Sequence, residues 1–139
     1  MINQNFSHFT SQHKVRPDDI DMFNHVHSSK YLDYVLAARY EQMEVNYGMS
    51  MIEFLTMGYG WVVKIAKVNF KRPLILSDIF MVKTGITDIH KTGCRIMFEI
   101  TNQKTKKINA DGYFEFVMID IKTGKAVTIN NEIIQKYSV

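Results

Sequence analysis

"DDIDMFNHVHSSKYLDYVLAARYEQMEVNYG", residues 18–48, sets a dense polar loop against the start of a long apolar segment. From Ser28 onward, Lys30, Asp33, Glu41 and Glu44 recur at helical spacing as a narrow wet stripe. Leu32, Leu36, Met43 and Tyr47 form another face, with Tyr31, Val35 and Ala38 beside them. The apolar arc is wider than a surface helix carries, so the spacing predicts a deeply embedded helix that Gly48 ends. "MSMIEFLTMG", residues 49–58, adds a further short helical turn.

Outward from this segment the pattern changes. Upstream, a short strand is expected around His13–Arg16, ending at Pro17. Downstream of Trp61 the period falls to two. "WVVKIAKVNFKRP" reads as a strand stopped by Pro73, and "DIFMVKTGITD" as a second that turns at "HKTG". "CRIMFEITNQ" is a third, with Cys94, Ile96, Phe98 and Ile100 on one face and Arg95, Glu99 and Thr101 on the other. "INADGYFEFVMIDI" is a fourth, apolar on both faces, which predicts burial on both sides or contact with another subunit. The short turns predict an antiparallel meander. Strand, helix and four strands make an α+β domain, a curved antiparallel sheet with one long helix on its concave face. One helix covers one face only, so oligomerisation is expected.

Composition fits that reading. At 139 residues, with 46% hydrophobic and 22% charged, the chain is expected to be a single globular domain over residues 1–139. The formal charge of +3 comes from dispersed Lys and Arg, so no nucleic-acid partner is expected. A lone Cys94 forms no internal disulfide. "MINQNFSHFTSQHK" lacks a leader pattern and no apolar run spans a membrane, so a cytoplasmic protein without a membrane partner is expected.

The polar loop invites three chemistries. A metal site would draw on His25 and His27 with Asp19 and Asp21, but neighbouring loop residues rarely converge on one ion, so none is expected. Nucleophilic catalysis is poorly served, because Ser28 and Ser29 sit where helix caps sit and Cys94 alternates with core residues. In the third chemistry, a carboxylate acts beside free helix N-terminal amides, which polarise a carbonyl oxygen. Spacing alone leaves that reading open against a plainer one, in which Asp18, Asp19, Asp21 and Asn24 only cap and solvate the loop.

"VRPDDIDMFNHVHSSKYLDYVLAAR" resembles the signature of the 4-hydroxybenzoyl-CoA thioesterase-like branch of the hotdog fold, V-R-aromatic-x-[DE]-T-D-x-x-G-H-V-N-N-x-x-Y-L. Val15, Arg16, Asp19, Asp21, His25, Val26, Tyr31 and Leu32 occupy matching positions. "VNFKRPLILSDIF" and "ADGYFEFVMIDIKTGKA" are similar to later segments of the family, so the likeness runs along almost the whole chain. It implies five antiparallel strands wrapped around one central helix, and hydrolysis of an acyl-CoA or acyl-carrier-protein thioester without a cofactor. By that resemblance Asp21 is the base or nucleophile, and backbone N–H groups around His27 and Ser28 hold the thioester oxygen. Asp19 supports the loop, while Asn24, His25 and Tyr31 shape the site. Asn24 replaces the family glycine, and asparagine tolerates a positive φ. His27-Ser28 stands where the family has Asn-Asn, and Leu36 and Ala37 stand where many relatives carry glutamates.

The same likeness implies surface cations for the CoA phosphates. Lys71 and Arg72 are the candidates within the matched segment, with Lys91, Lys104, Lys106 and Lys107 further away. Tyr31, Tyr34, Met57, Tyr59 and Trp61 are candidates for the acyl slot. Sheets joined edge to edge are implied, as a homodimer or a dimer of dimers. Two rival readings stand beside hydrolysis. One is an enoyl-thioester hydratase or dehydratase using His25; the other is an inactive acyl-CoA-binding module, suggested by Asn24, His27 and Ser28.

Overall fold

The computed structural model describes residues 6–139. The leader reading rests partly on residues 1–5, which lie outside the described residues. Five strands form one antiparallel sheet: β1 (His8–Lys14), β2 (Tyr59–Phe70), β3 (Ile79–Ile89), β4 (Gly93–Asn102) and β5 (Ile108–Asp120). Their order across the sheet is β1-β3-β4-β5-β2. The sheet wraps around α1 (Ser28–Gln42), which a π-helical turn over Met43–Tyr47 prolongs to 20 residues, 28–47. Gly48, at φ +71°, ends it as a left-handed cap whose N–H bonds the Met43 carbonyl. The short α2 (Met51–Thr56) is capped by Ser50 Oγ, which accepts the Glu53 amide. The fold is the expected α+β hotdog. Among the described residues, no helix is long and apolar enough to cross a membrane.

Three expectations need correcting. The first strand lies earlier than His13–Arg16: "HFTSQHK" pairs with β3 from His8↔Gly85 to Lys14↔Ile79. Its alternation is polar because it is an edge strand with every second side chain half-exposed, so hydrophobic periodicity does not reveal it. The meander holds only for β3, β4 and β5. β2 pairs with β5, not with β3, and residues 71–78 carry the chain across the sheet. Finally, of the two alternatives for β5, burial on both faces within the chain does not hold: Asn109, Ala110, Phe114 and Met118 are buried and the rest are half-exposed. The open apolar edge belongs to β2, where Val62, Val63, Ile65 and Phe70 are exposed.

The helix meets the sheet along Tyr31, Val35, Ala38, Arg39, Gln42, Met43 and Tyr47, all buried, while Leu32 and Leu36 lie half-buried at the margin. Around its N-terminal half, Phe80, Phe98 and Phe114 pack with Val82 and Ile100. Each such ring contributes roughly 2–3 kcal/mol by leaving water. A second cluster surrounds the C-terminal half, built on Phe54, Ile96 and Met118 and closed by α3 (Asn131–Tyr137). This last helix was not foreseen, although Asn130 caps it by accepting the Ile133 amide and Ile133 and Tyr137 turn inward. One polar side chain on the buried face of α1, that of Gln42, is satisfied within the sheet. Gln42 Nε2 donates to Val82 O at 3.2 Å and to Ser11 Oγ at 3.1 Å, and Thr84 Oγ1 donates to Gln42 Oε1 at 2.5 Å.

Candidate active site

The loop before α1 is built by its own acids. A single turn over Pro17–Asp19 starts at Arg16, whose guanidinium meets Asp18 on the surface. Asp19 points inward, 7% exposed, and its Oδ2 accepts the Tyr34 phenol at 2.7 Å. Burial and this carboxylate together push the Tyr34 phenol far up. Asp19 therefore ties the loop to the second turn of α1. Tyr31 performs a similar task, its phenol oxygen accepting the Leu74 amide at 2.9 Å.

Asp21 is arranged differently. Its Oδ1 accepts two backbone amides, Phe23 at 2.9 Å and His25 at 3.0 Å, which closes an Asx-type turn. No described residue hydrogen-bonds its Oδ2. The His25 amide is the largest influence on the Asp21 carboxyl and holds it below its ordinary 3.8. The Phe23 amide and the His25 and His27 imidazoles act the same way, against desolvation. The group is thus an anion with one oxygen anchored and one open.

Asn24 makes this turn possible. It adopts φ +62°, and its Oδ1 accepts the Leu76 amide at 3.1 Å, fastening the loop to the 71–78 crossover. His25 and Ile75 form a β-bridge alongside.

The helix start corrects one expectation. His27 is the N-cap, yet its amide donates to Asp19 O at 3.0 Å and is unavailable to a ligand. Lys30 N is also taken, by His27 O at 2.9 Å. The amides left without a protein partner among the described residues are those of Ser28 and Ser29, since no side chain caps the helix. Of the two amides expected to be open, that of Ser28 is and that of His27 is not, and the Ser29 amide lies open beside it.

Asp21, His25, His27, Ser28, Tyr31, Lys71 and Arg72 line one open cleft of about 890 Å³, including space open to solvent. Lys71 Nζ stands 2.9 Å from Asp111, whose carboxyl it holds low, and Arg72 Nη1 reaches Ile108 O at 3.3 Å. Both cations are exposed at the rim. Lys91, Lys104, Lys106 and Lys107 sit in hairpin turns and do not line the cleft. Of the acyl-slot candidates, Tyr31 is in the cleft and Trp61 lines a separate apolar cavity beside the C-terminal half of α1. Tyr34, Met57 and Tyr59 line neither. Cys94 is buried and its thiol is pushed up to about 12 by burial, as suits a core residue. Among the described residues, no three His, Cys, Asp or Glu side chains are grouped to hold a metal ion.

A carboxylate beside the positive end of a helix enclosed by a hotdog sheet is an arrangement suited to thioester chemistry. Comparison with known proteins makes the assignment. The chain belongs to the Thioesterase-like superfamily, whose family profile matches residues 15–137. It is similar to the long-chain acyl-CoA thioesterase FadM of Escherichia coli (strain K12), 28% identical over 127 residues that cover 91% of this chain and 94% of that one. Among solved structures, the YbaW probable thioesterase from Escherichia coli superposes with a TM-score of 0.80 at 25% identity, covering 94% of this chain and 98% of the other. The DHNA-CoA thioesterase from Staphylococcus aureus shares the fold with a TM-score of 0.87 at 19% identity, covering 94% and 89%. Thioester hydrolysis is the chemistry of this family.

Proposed function

We propose that this chain hydrolyses acyl-CoA thioesters in the cleft at the N-terminus of α1, with Asp21 as its acid group. One observation carries the reading: an ionised carboxylate with a free oxygen shares the cleft with Ser28, whose helix amide, like that of the adjacent Ser29, has no protein partner among the described residues. The thioester carbonyl oxygen would sit on the Ser28 and Ser29 N–H groups, where the helix dipole also favours developing negative charge. Asp21 Oδ2 would then either bond to the carbonyl carbon, giving a mixed anhydride that water hydrolyses, or take a proton from a water that attacks. In both routes the C–S bond breaks and the departing thiolate takes up a proton originating from that water or from solvent. Lys71 and Arg72 at the rim suit the phosphates of CoA, which favours CoA over a carrier protein. The relatives' names, long-chain acyl-CoA and DHNA-CoA, support the CoA ester class. A hydratase would need a free histidine paired with the acid. Here no imidazole hydrogen-bonds Asp21 among the described residues; its bonds come from the Phe23 and His25 amides.

A thiol-release screen across short, long and aromatic acyl-CoAs tests this, and turnover on at least one is expected. No turnover on any of them would leave an acyl-CoA-binding module. The pH profile supplies an independent check. Because the Asp21 carboxyl is held low, its ionised form persists as pH falls, and the acid limb of kcat/KM should lie below the ordinary 3.8. An acid limb near pH 6–7, the range of an unperturbed histidine, would instead assign the chemistry to His25 or His27.

The assembly we propose is a homodimer joined through β2. That strand is 12 residues long, pairs on one side only and exposes Val62 and Ile65, each nearly half accessible. An uncovered apolar edge of that length invites a second copy. Ile65→Lys should yield a monomer by analytical ultracentrifugation. A dimer of unchanged affinity would move the interface elsewhere.

A further inference from the structure

We propose that the apolar cavity beside the C-terminal half of α1 takes the far end of the acyl group, and that Arg39 there selects chains ending in a carboxylate. This rests on the thioesterase reading and names its substrate class, an ω-carboxyacyl thioester. The cavity encloses about 130 Å³ and opens into further space reached from solvent. Its walls include Leu36, Trp61, Cys94, Phe116 and Ile133, and Arg39 is the one charged residue lining it.

Arg39 is only 6% exposed. Its Nη1 donates to Tyr47 Oη at 3.0 Å and to Thr84 Oγ1 at 3.2 Å, and the guanidinium lies 4.6 Å from the Tyr47 ring centre. Its Nε and Nη2 meet no acceptor among the described residues. Neither is sealed off, because the one enclosed side-chain polar atom without a partner among those residues is Asn109 Oδ1. No described carboxylate lies within ion-pair distance. Cys94, its thiol pushed up to about 12 by burial, supplies no counter-charge, and the Tyr137 phenol is likewise raised by burial. A buried cation without an anion is costly, and aromatic faces compensate only in part. Two free N–H groups of a planar fork, held in place by two further bonds, match a carboxylate.

The cavity is also placed to receive a chain end. The Tyr31 and Phe70 rings, 5.2 Å apart, show that the C-terminal end of β2 lies beside the N-terminus of α1. Trp61 and the exposed Val63, at the other end of β2, line the cavity. Antiparallel pairing of two β2 edges therefore brings that part of one protomer's cavity toward the active-site end of the neighbouring α1.

Trp61 is the only tryptophan and lines the cavity, so its fluorescence reports occupancy. The probes are monomethyl esters of diacids from hexanedioic to tetradecanedioic acid, each paired with the methyl ester of the matching monoacid. Wild type should bind the best ω-acid ester at least about tenfold more tightly than its uncharged pair. Arg39→Gln should lose that preference and still bind the uncharged ester. Equal binding of the two esters by wild type would overturn the proposal even if no Arg39 variant folds, and so would a preference that survives in Arg39→Gln. The matching CoA thioesters separate this from the parent reading. Cleavage without preference for the ω-acid chain overturns the Arg39 assignment alone. Binding of the ω-acid ester with no thioester cleaved overturns the hydrolase reading and leaves the cavity assignment standing.

Discussion

Asp21→Asn should lower kcat/KM by roughly 10³–10⁴ and leave the melting temperature almost unchanged. The reason lies in how the two oxygens of Asp21 are used. Oδ1 accepts the Phe23 and His25 amides, and an asparagine carbonyl can accept both, so the turn persists. Only the negative charge and the reactive second oxygen are lost. In transition-state terms the fall corresponds to about 4–5.5 kcal/mol. Asp21→Ala should match it in rate and also lower the melting temperature, because two loop amides lose their acceptor. Activity in Asp21→Asn within tenfold of wild type would remove Asp21 from the chemistry. Rapid-quench kinetics on wild type then separates the two routes. Thiol released ahead of acid marks attack by Asp21 itself, whereas simultaneous release marks an activated water.

Ser28→Pro should reduce kcat by roughly 10²–10³, the usual effect of losing one oxyanion donor. Proline is ordinarily a drastic change in a helix, but Ser28 is the first helical residue, where a missing N–H breaks no intrahelical bond. The residue before a proline must be extended, and His27 already is, at φ −55° and ψ 137°. The substitution thus deletes one amide hydrogen at little cost to the fold. Ser28→Ala is the control: it removes the hydroxyl, keeps the amide and should stay near wild-type rate. Equal losses in both variants would assign the effect to the side chain and overturn the oxyanion role of the Ser28 amide.

Much of this arrangement is legible in the amino-acid order, and the gaps have physical causes. The long helix, its stop at Gly48 and the four later strands follow from local periodicity. The turn at Asn24 follows from the few residues that accept a positive φ. Strand pairing does not follow, because β2 and β5 meet across a wide sequence gap and nothing local in either names its partner. β1 was displaced because its edge position lets it stay polar. Within the site, the acid could be singled out by its position before a helix. Which amides remain free depended on one loop carbonyl, that of Asp19, whose direction no residue pattern encodes. Arg39 and Gln42 are masked in the sequence by the charged stripe facing water, which dominates the polar pattern of the helix. Both interrupt the apolar face at helical spacing from Val35 and Ala38, and a charged residue on a buried stripe was the available signal.

The Gln42 bonds have a further consequence. Greasy contact between a helix and a curved sheet has little directional preference, so α1 could in principle slide along its own axis at modest cost. A slip of one turn displaces every residue by about 5.4 Å. It would carry the free amides at the helix start away from Asp21, which belongs to a loop fastened separately to Leu76. It would also strand the Gln42 amide and the Thr84 hydroxyl, a pair that fits at one setting only. The far end of the helix thus works as an indexing pin for the end where a thioester would be held.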